Sequence, residues 1–159
     1  MNHRQIREII RSTLRRLNMW SEDAEELVFL TGLVESGYNY ISQIGSGVAR
    51  SFWQVEPATA FDTVNNYLIY RDSKMERVAD CLMLDPVALK AMDDTELEEL
   101  LWGNIYAGIL FCRLKYWRVP KPIPSTVDGK ANYWLKYYNA GGKGSIGHFM
   151  EMAETRKDI

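Results

Sequence analysis

Apolar and polar positions along this chain recur mostly with helical spacing. Ile6, Ile9, Ile10, Leu14 and Leu17 repeat every three or four residues among arginines, which predicts an amphipathic helix over the first 17 residues. Ser21, followed by Glu22 and Asp23, is a helix-opening signal, and Ala24, Leu27, Val28, Thr31 and Val34 continue it on helical spacing to Glu35-Ser36-Gly37. From Gly45 to Pro57 the pattern is interrupted by breakers, so a loop with a short extended piece is expected. Pro57 suits the first turn of a helix through Phe61, Val64, Tyr67 and Leu68. Asp85-Pro86 reads as another helix start, and Asp94-Thr95-Glu96 predicts a long helix to about Trp117. The prolines of Val119–Pro124 exclude a helix there, an aromatic-rich helical pattern returns over Asn132–Tyr138, and Gly141–Gly144 ends it. Ser145 is placed to cap a last helix through Phe149 and Met152. The expected class is mainly α, one domain over residues 1–159, with an N-terminal amphipathic helix (1–20), a core (22–144) and a C-terminal helix and tail (145–159).

Composition narrows the chemistry. Hydrophobic residues make up 47% and charged residues 25% of the 159, ordinary for a globular protein that can bury a core without disulfides or metals. A net charge of −2 forecasts no polyanion-binding surface, so nucleic acid is not the expected partner. The arginine-rich start lacks the continuous apolar run of an export signal, and Leu100–Cys112, the longest nearly apolar run, is too short to span a bilayer; no stable membrane insertion is expected. Cys81 and Cys112 sit in apolar stretches without metal-ligand spacing and read as buried thiols. With only His3 and His148, neither a metal centre nor a Ser/His/Asp triad has material, and no cofactor is expected.

Carboxylate chemistry remains. A carboxyl group in a partly apolar cleft loses hydration of its charged form, so it holds its proton nearer neutral pH and serves as a general acid. Glu35, preceded by Leu33 and Val34 and followed by Tyr38 and Tyr40, has that opportunity. Four segments follow in order: Glu35-Ser36; Gly45-Ser46-Gly47 through Phe52-Trp53-Gln54-Val55-Glu56-Pro57; Asn104-Ile105-Tyr106-Ala107-Gly108-Ile109-Leu110; and Tyr138-Asn139-Ala140-Gly141-Gly142. Their order and spacing resemble the motifs of the soluble lytic transglycosylase family.

The resemblance implies a lysozyme-like fold, with a Gly-rich loop or small β element beside the catalytic helix. It implies Glu35 as the single catalytic acid/base, Ser36 as a neighbour supporting substrate contacts, and Gln54 lining a glycan cleft. It further implies that Gly45 and Gly47 let backbone approach the sugar, that Tyr138 orients the Glu35 carboxyl by a hydrogen bond, and that Asn139 braces its loop. Asn104 and Gly108 would belong to the helix behind the site. The implied partner is the peptidoglycan glycan strand, cleaved between N-acetylmuramic acid and N-acetylglucosamine with a 1,6-anhydro product. A bacteriophage protein, in the virion or the host cytoplasm and working with other virion or lysis proteins, fits such a chain.

Two alternatives stand beside this. A hydrolytic lysozyme needs a second carboxylate, for which Glu56 and Asp62 are the nearest in sequence. A structural module of the same fold would have no turnover. Among the aromatics, Trp53 and Tyr138 are expected in the cleft, and Tyr133, Trp134 and Tyr137, on helical spacing, in the core. Ser51-Phe52-Trp53-Gln54 stands where the family often has Gly-Leu-Met-Gln, and Arg50 is bulky for a substrate-facing turn. Lys136 and Lys143 are candidates to meet muramyl carboxylates.

Overall fold

In the computed structural model, which describes residues 1–157, the chain is mainly helical. Helix α1 (His3–Arg16) is capped by the Asn2 side chain, and α2 (Glu22–Ser36) by Ser21, whose hydroxyl accepts from the Ala24 N–H. Acidic residues in the first turn of α2 face its positive dipole end, and Gly37, at φ +60°, ends it by donating its N–H to the Leu33 carbonyl. Pro57 opens α3 (Pro57–Asn66) as expected, but that helix stops before Tyr67, and Leu68–Tyr70 form a separate 3-10 turn. Helix α4 (Asp72–Cys81) has no counterpart among the elements predicted from sequence. Helix α5 (Pro86–Ala91) starts at the Asp85 cap.

The long helix expected over 94–117 is two. Helix α6 (Asp94–Gly103) opens with a capping box made by Asp93 and Glu96, and α7 (Ile105–Trp117) begins after a break at Asn104. Asn104 adopts extended backbone, and its side-chain oxygen accepts from the N–H groups of Tyr106 and Ala107. Those bonds satisfy the donors a continuous helix would have used internally. Helix α8 (Val127–Tyr137) starts earlier than expected, from the Thr126 cap, and α9 (Ile146–Glu154) starts at Ser145. Among the described residues there is no strand; the segment between α2 and α3 carries only the isolated bridges Ser42 to Arg50 and Arg50 to Val55.

Helix α2 is the axis of the core. Leu27 through Val34 are all buried, because α1, α7 and α9 pack around it. Three of its charged positions are tied down. The Glu25 carboxylate accepts from Arg11 at 2.8 and 2.9 Å and from the Trp20 indole at 2.8 Å. Buried Lys130 of α8 reaches Asp23 at 2.9 Å, and Arg156 reaches Glu26 at 3.0 Å. These pairs fasten α1, α8 and the end of the chain to α2.

Candidate functional site

Glu35 occupies the last turn of α2, where the left-handed Gly37 turns the chain away and leaves the carboxyl at the floor of a cleft of about 730 Å³. The far walls come from the segment before α3, which contributes Gln43, Ile44, Ala49, Gln54 and Glu56, and from Tyr138–Lys143 after α8. Lys115 of α7 closes the floor.

The Glu35 carboxyl is half-buried, and one oxygen accepts a 2.9 Å hydrogen bond from the Trp134 indole N–H. Burial raises its pKa above the usual carboxylate value, the Trp134 bond and the nearby Lys115 ammonium pull the other way, and burial wins. The Glu35 carbonyl is held separately, accepting from the Tyr40 hydroxyl at 2.7 Å. A carboxyl group that is buried, fixed by one donor and open to a cleft is equipped to give and take a proton.

Trp134 therefore does what Tyr138 was expected to do. The Tyr138 hydroxyl donates instead to the Trp53 carbonyl, and its ring stacks on Tyr116 with centroids 5.1 Å apart. Tyr138 still lines the cleft, and its carbonyl accepts from the Lys115 ammonium at 2.8 Å. Burial lowers the Lys115 pKa, while Glu35 and Glu56 are among the groups holding it up. The sequence assigned Trp134 to the core on its spacing, and it is only 2% exposed. The overlooked signal is the indole N–H, which needs an acceptor wherever a tryptophan is buried. Lys115 was missed because it lies within an apolar helix run.

Other expected site residues divide. Gln54 lines the cleft in the left-handed region (φ +49°), its amide nitrogen donating to the Ser51 carbonyl at 2.8 Å. Asn139 lines it too, its side chain in the crook of Gly142 and Gly144, where a Cβ at either glycine would fall 2.1 Å from it. Trp53 does not reach the cleft: it is fully buried, its indole donates to the Val28 carbonyl at 2.8 Å, and it offers no face for a sugar. Ser36 is also buried, bonding the Gly32 carbonyl and the Tyr38 N–H, so its hydroxyl shapes the helix end instead of meeting substrate.

Gly45 and Gly47 sit in the wall segment without lining the cleft. Gly45 supplies a φ of +93° for the turn, and Gly47 makes room for the Gln43 amide. Arg50 turns away from the cleft to Glu98 at 2.6 Å and to the Gly47 and Ala49 carbonyls, stapling the segment to α6. Asn104 caps α7 from outside the helix, and Gly108 lies within α7 against Ser51 and Trp53.

Of the two second-carboxylate candidates, Glu56 lines the cleft, whereas Asp62 is taken by Arg118 and Asn66, both at 2.7 Å. Lys143 is on the cleft wall, and Lys136 is not. Among the described residues no group of three or more His, Cys, Asp or Glu side chains is gathered where it could share a metal ion. Compared with known proteins, the chain matches no family model, no curated protein and no solved structure.

Proposed function

We propose that this protein has a lysozyme-like fold and is a peptidoglycan lytic transglycosylase in which Glu35 is the single acid/base. The observation that carries the reading is the Glu35 carboxyl itself, with its pKa raised by burial, anchored by Trp134 and facing a cleft that Gln54, Tyr138 and Asn139 also line. The four ordered motifs support it from the sequence.

In this mechanism the protonated Glu35 donates to the glycosidic oxygen as the bond to the muramyl anomeric carbon breaks. The substrate's acetamido group stabilises the positive charge that develops there. The Glu35 carboxylate then removes the proton of the C6 hydroxyl, whose oxygen closes on the anomeric carbon to give the 1,6-anhydro sugar. Protons balance, because the one Glu35 gives to the leaving group is replaced by the one taken from C6. Lys115, through its charge, keeps the carboxylate form from becoming too basic to return that proton. The reading invokes no cofactor. It makes glycan strands the partner and the bacterial wall the place of action, reached through lysis or from a phage particle.

Purified peptidoglycan incubated with the chain is expected to release fragments with anhydro ends, one water lighter than hydrolytic ends by mass spectrometry. Glu35→Gln is expected to lower release by about 10²–10⁴-fold or more, the usual worth of a positioned acid/base. Hydrated reducing ends would instead support a lysozyme, a reading that the position of Glu56 on the same cleft favours over Asp62. No release by folded wild-type protein would sink both.

A further inference from the structure

A second groove, of about 470 Å³, lies between the turn that joins α1 to α2 and the proline-rich connection after α7. At its base is Arg113. This residue is only 6% exposed, yet among the described residues it makes no ion pair. Its Nε donates to the Met19 carbonyl at 3.0 Å, which leaves both terminal nitrogens without a protein acceptor. The one carboxylate on the groove lining, Asp23, is already bonded to Lys130. Neither terminal nitrogen is sealed from solvent, so both are open to the groove, and a guanidinium taken largely out of bulk water is ordinarily matched by an anion. Burial lowers the Arg113 pKa; Cys112 and Tyr133 oppose that shift, and no carboxylate is among the groups that do.

The rest of the groove is aromatic. Trp20 and Trp117 are 41% and 38% exposed, Tyr133 and Pro122 add further apolar surface, and the Trp117 ring lies 5.0 Å from the Arg113 guanidinium. Exposed tryptophans beside an unmatched buried cation describe a receptor for a monoanion that carries apolar groups. The fork of two terminal nitrogens suits a planar, two-oxygen acceptor. One buried positive charge balances one carboxylate, whereas a phosphate dianion would call for a second cation at the base; the one lysine on the lining, Lys121, is exposed.

We propose that this groove binds the free carboxylate at the end of a peptide chain, with Arg113 receiving the carboxylate and Trp20 and Trp117 flanking the last side chains. The site is separate from the Glu35 cleft and is read without turnover, so its test stands apart from that of the glycosidase.

Ligand-observed NMR on the full chain would compare the N-acetylated dipeptide Ala-Ala with its C-terminal amide. The acid is expected to bind about tenfold or more tightly than the amide, as a charge-assisted bidentate contact requires. Inorganic phosphate at equal concentration is expected to displace it poorly. Arg113→Gln should abolish the preference for the acid. Because that substitution also removes the bond to Met19, Trp117→Ser serves as a second variant that leaves Arg113 in place, and it is expected to weaken the acid several-fold. Equal binding of acid and amide, no binding of the acid, displacement by phosphate as effective as by the acid, or an unchanged affinity in folded Trp117→Ser would each overturn the proposal.

Discussion

The hydrogen bond from Trp134 to Glu35 sets the protonation of the cleft as well as the aim of the carboxyl. An N–H donor stabilises the charged form, so it holds the Glu35 pKa below the value that burial alone would give. Trp134→Phe keeps most of the packing and deletes the donor. The Glu35 pKa is then expected to rise further, moving the alkaline limb of the pH–rate profile to higher pH, while the rate at the optimum falls as the carboxyl loses its anchor. A profile whose alkaline limb stays in place, or moves to lower pH, would contradict this role. At this scale the sequence was partly legible. Taken alone, Glu35 reads as an ordinary solvated glutamate at a helix end; it stood out because its motif neighbours follow in order. Trp134 is in the core as its spacing predicts, yet its N–H reaches the cleft carboxyl, and Trp53, expected in the cleft, is core as well, because periodicity gives the side of a helix or loop that is buried and says nothing about where an indole N–H points.

Among the elements, the contact that fixes the cleft wall is between α7 and the turn at Ser51–Gln54. Ser51 and Gln54 both take left-handed backbone, at φ +68° and +49°, and the Ser51 hydroxyl accepts from the Trp53 N–H at 3.2 Å. The turn rests directly on Gly108, where a Cβ would lie 2.7 Å from both the Ser51 Cβ and the Trp53 ring. Gly108→Ala is therefore expected to destabilise the fold by about 1–3 kcal/mol, the usual cost of overpacking, measurable as a lower urea midpoint with an unchanged slope. An unaltered midpoint would mean that the turn shifts freely. Helix starts at Ser21, Pro57, Asp85-Pro86 and Ser145 were readable because capping is chemistry within four residues of the chain. Helix α4 was not, because its N-cap position, Arg71, offers no capping side chain. The break at Asn104 was hidden inside a run whose apolar spacing continues through it, and only the capping bonds of the asparagine reveal it.

For the molecule as a whole, α2 carries two carboxylates with opposite effects on stability. Burial alone would raise the Glu25 pKa, but the hydrogen bonds from Arg11 and Trp20 and the positive charges of Arg11 and Arg7 outweigh it and leave the pKa lowered. Its contribution is present above the ordinary carboxylate pKa and is lost as pH falls through the lowered folded value. Glu35 is raised, so its contribution is full below the ordinary value and is lost as pH rises through the folded one. Glu35→Gln is accordingly expected to be more stable than wild type at pH 7, by roughly 0.5–2 kcal/mol as a single stabilising change, with the difference vanishing below the ordinary carboxylate pKa. Thermal unfolding of both forms at pH 3.5 and pH 7 reads this directly; a gap that does not depend on pH would rule it out.

Glu35 stands on a helix packed against three others, whereas the surfaces facing it across the cleft belong to connecting segments, which put Trp53, Val55 and Tyr138 into the core and leave Gln43, Ile44 and Ala140–Lys143 exposed at the rim. Insertions or exchanges at Gln43, Ile44 or Ala140–Lys143 would leave the Glu35 carboxyl where it is. On the proposed reading, the acid and the rim that would select the strand are thus mechanically separate, and the rim can be redrawn while the burial that tunes Glu35 is kept intact.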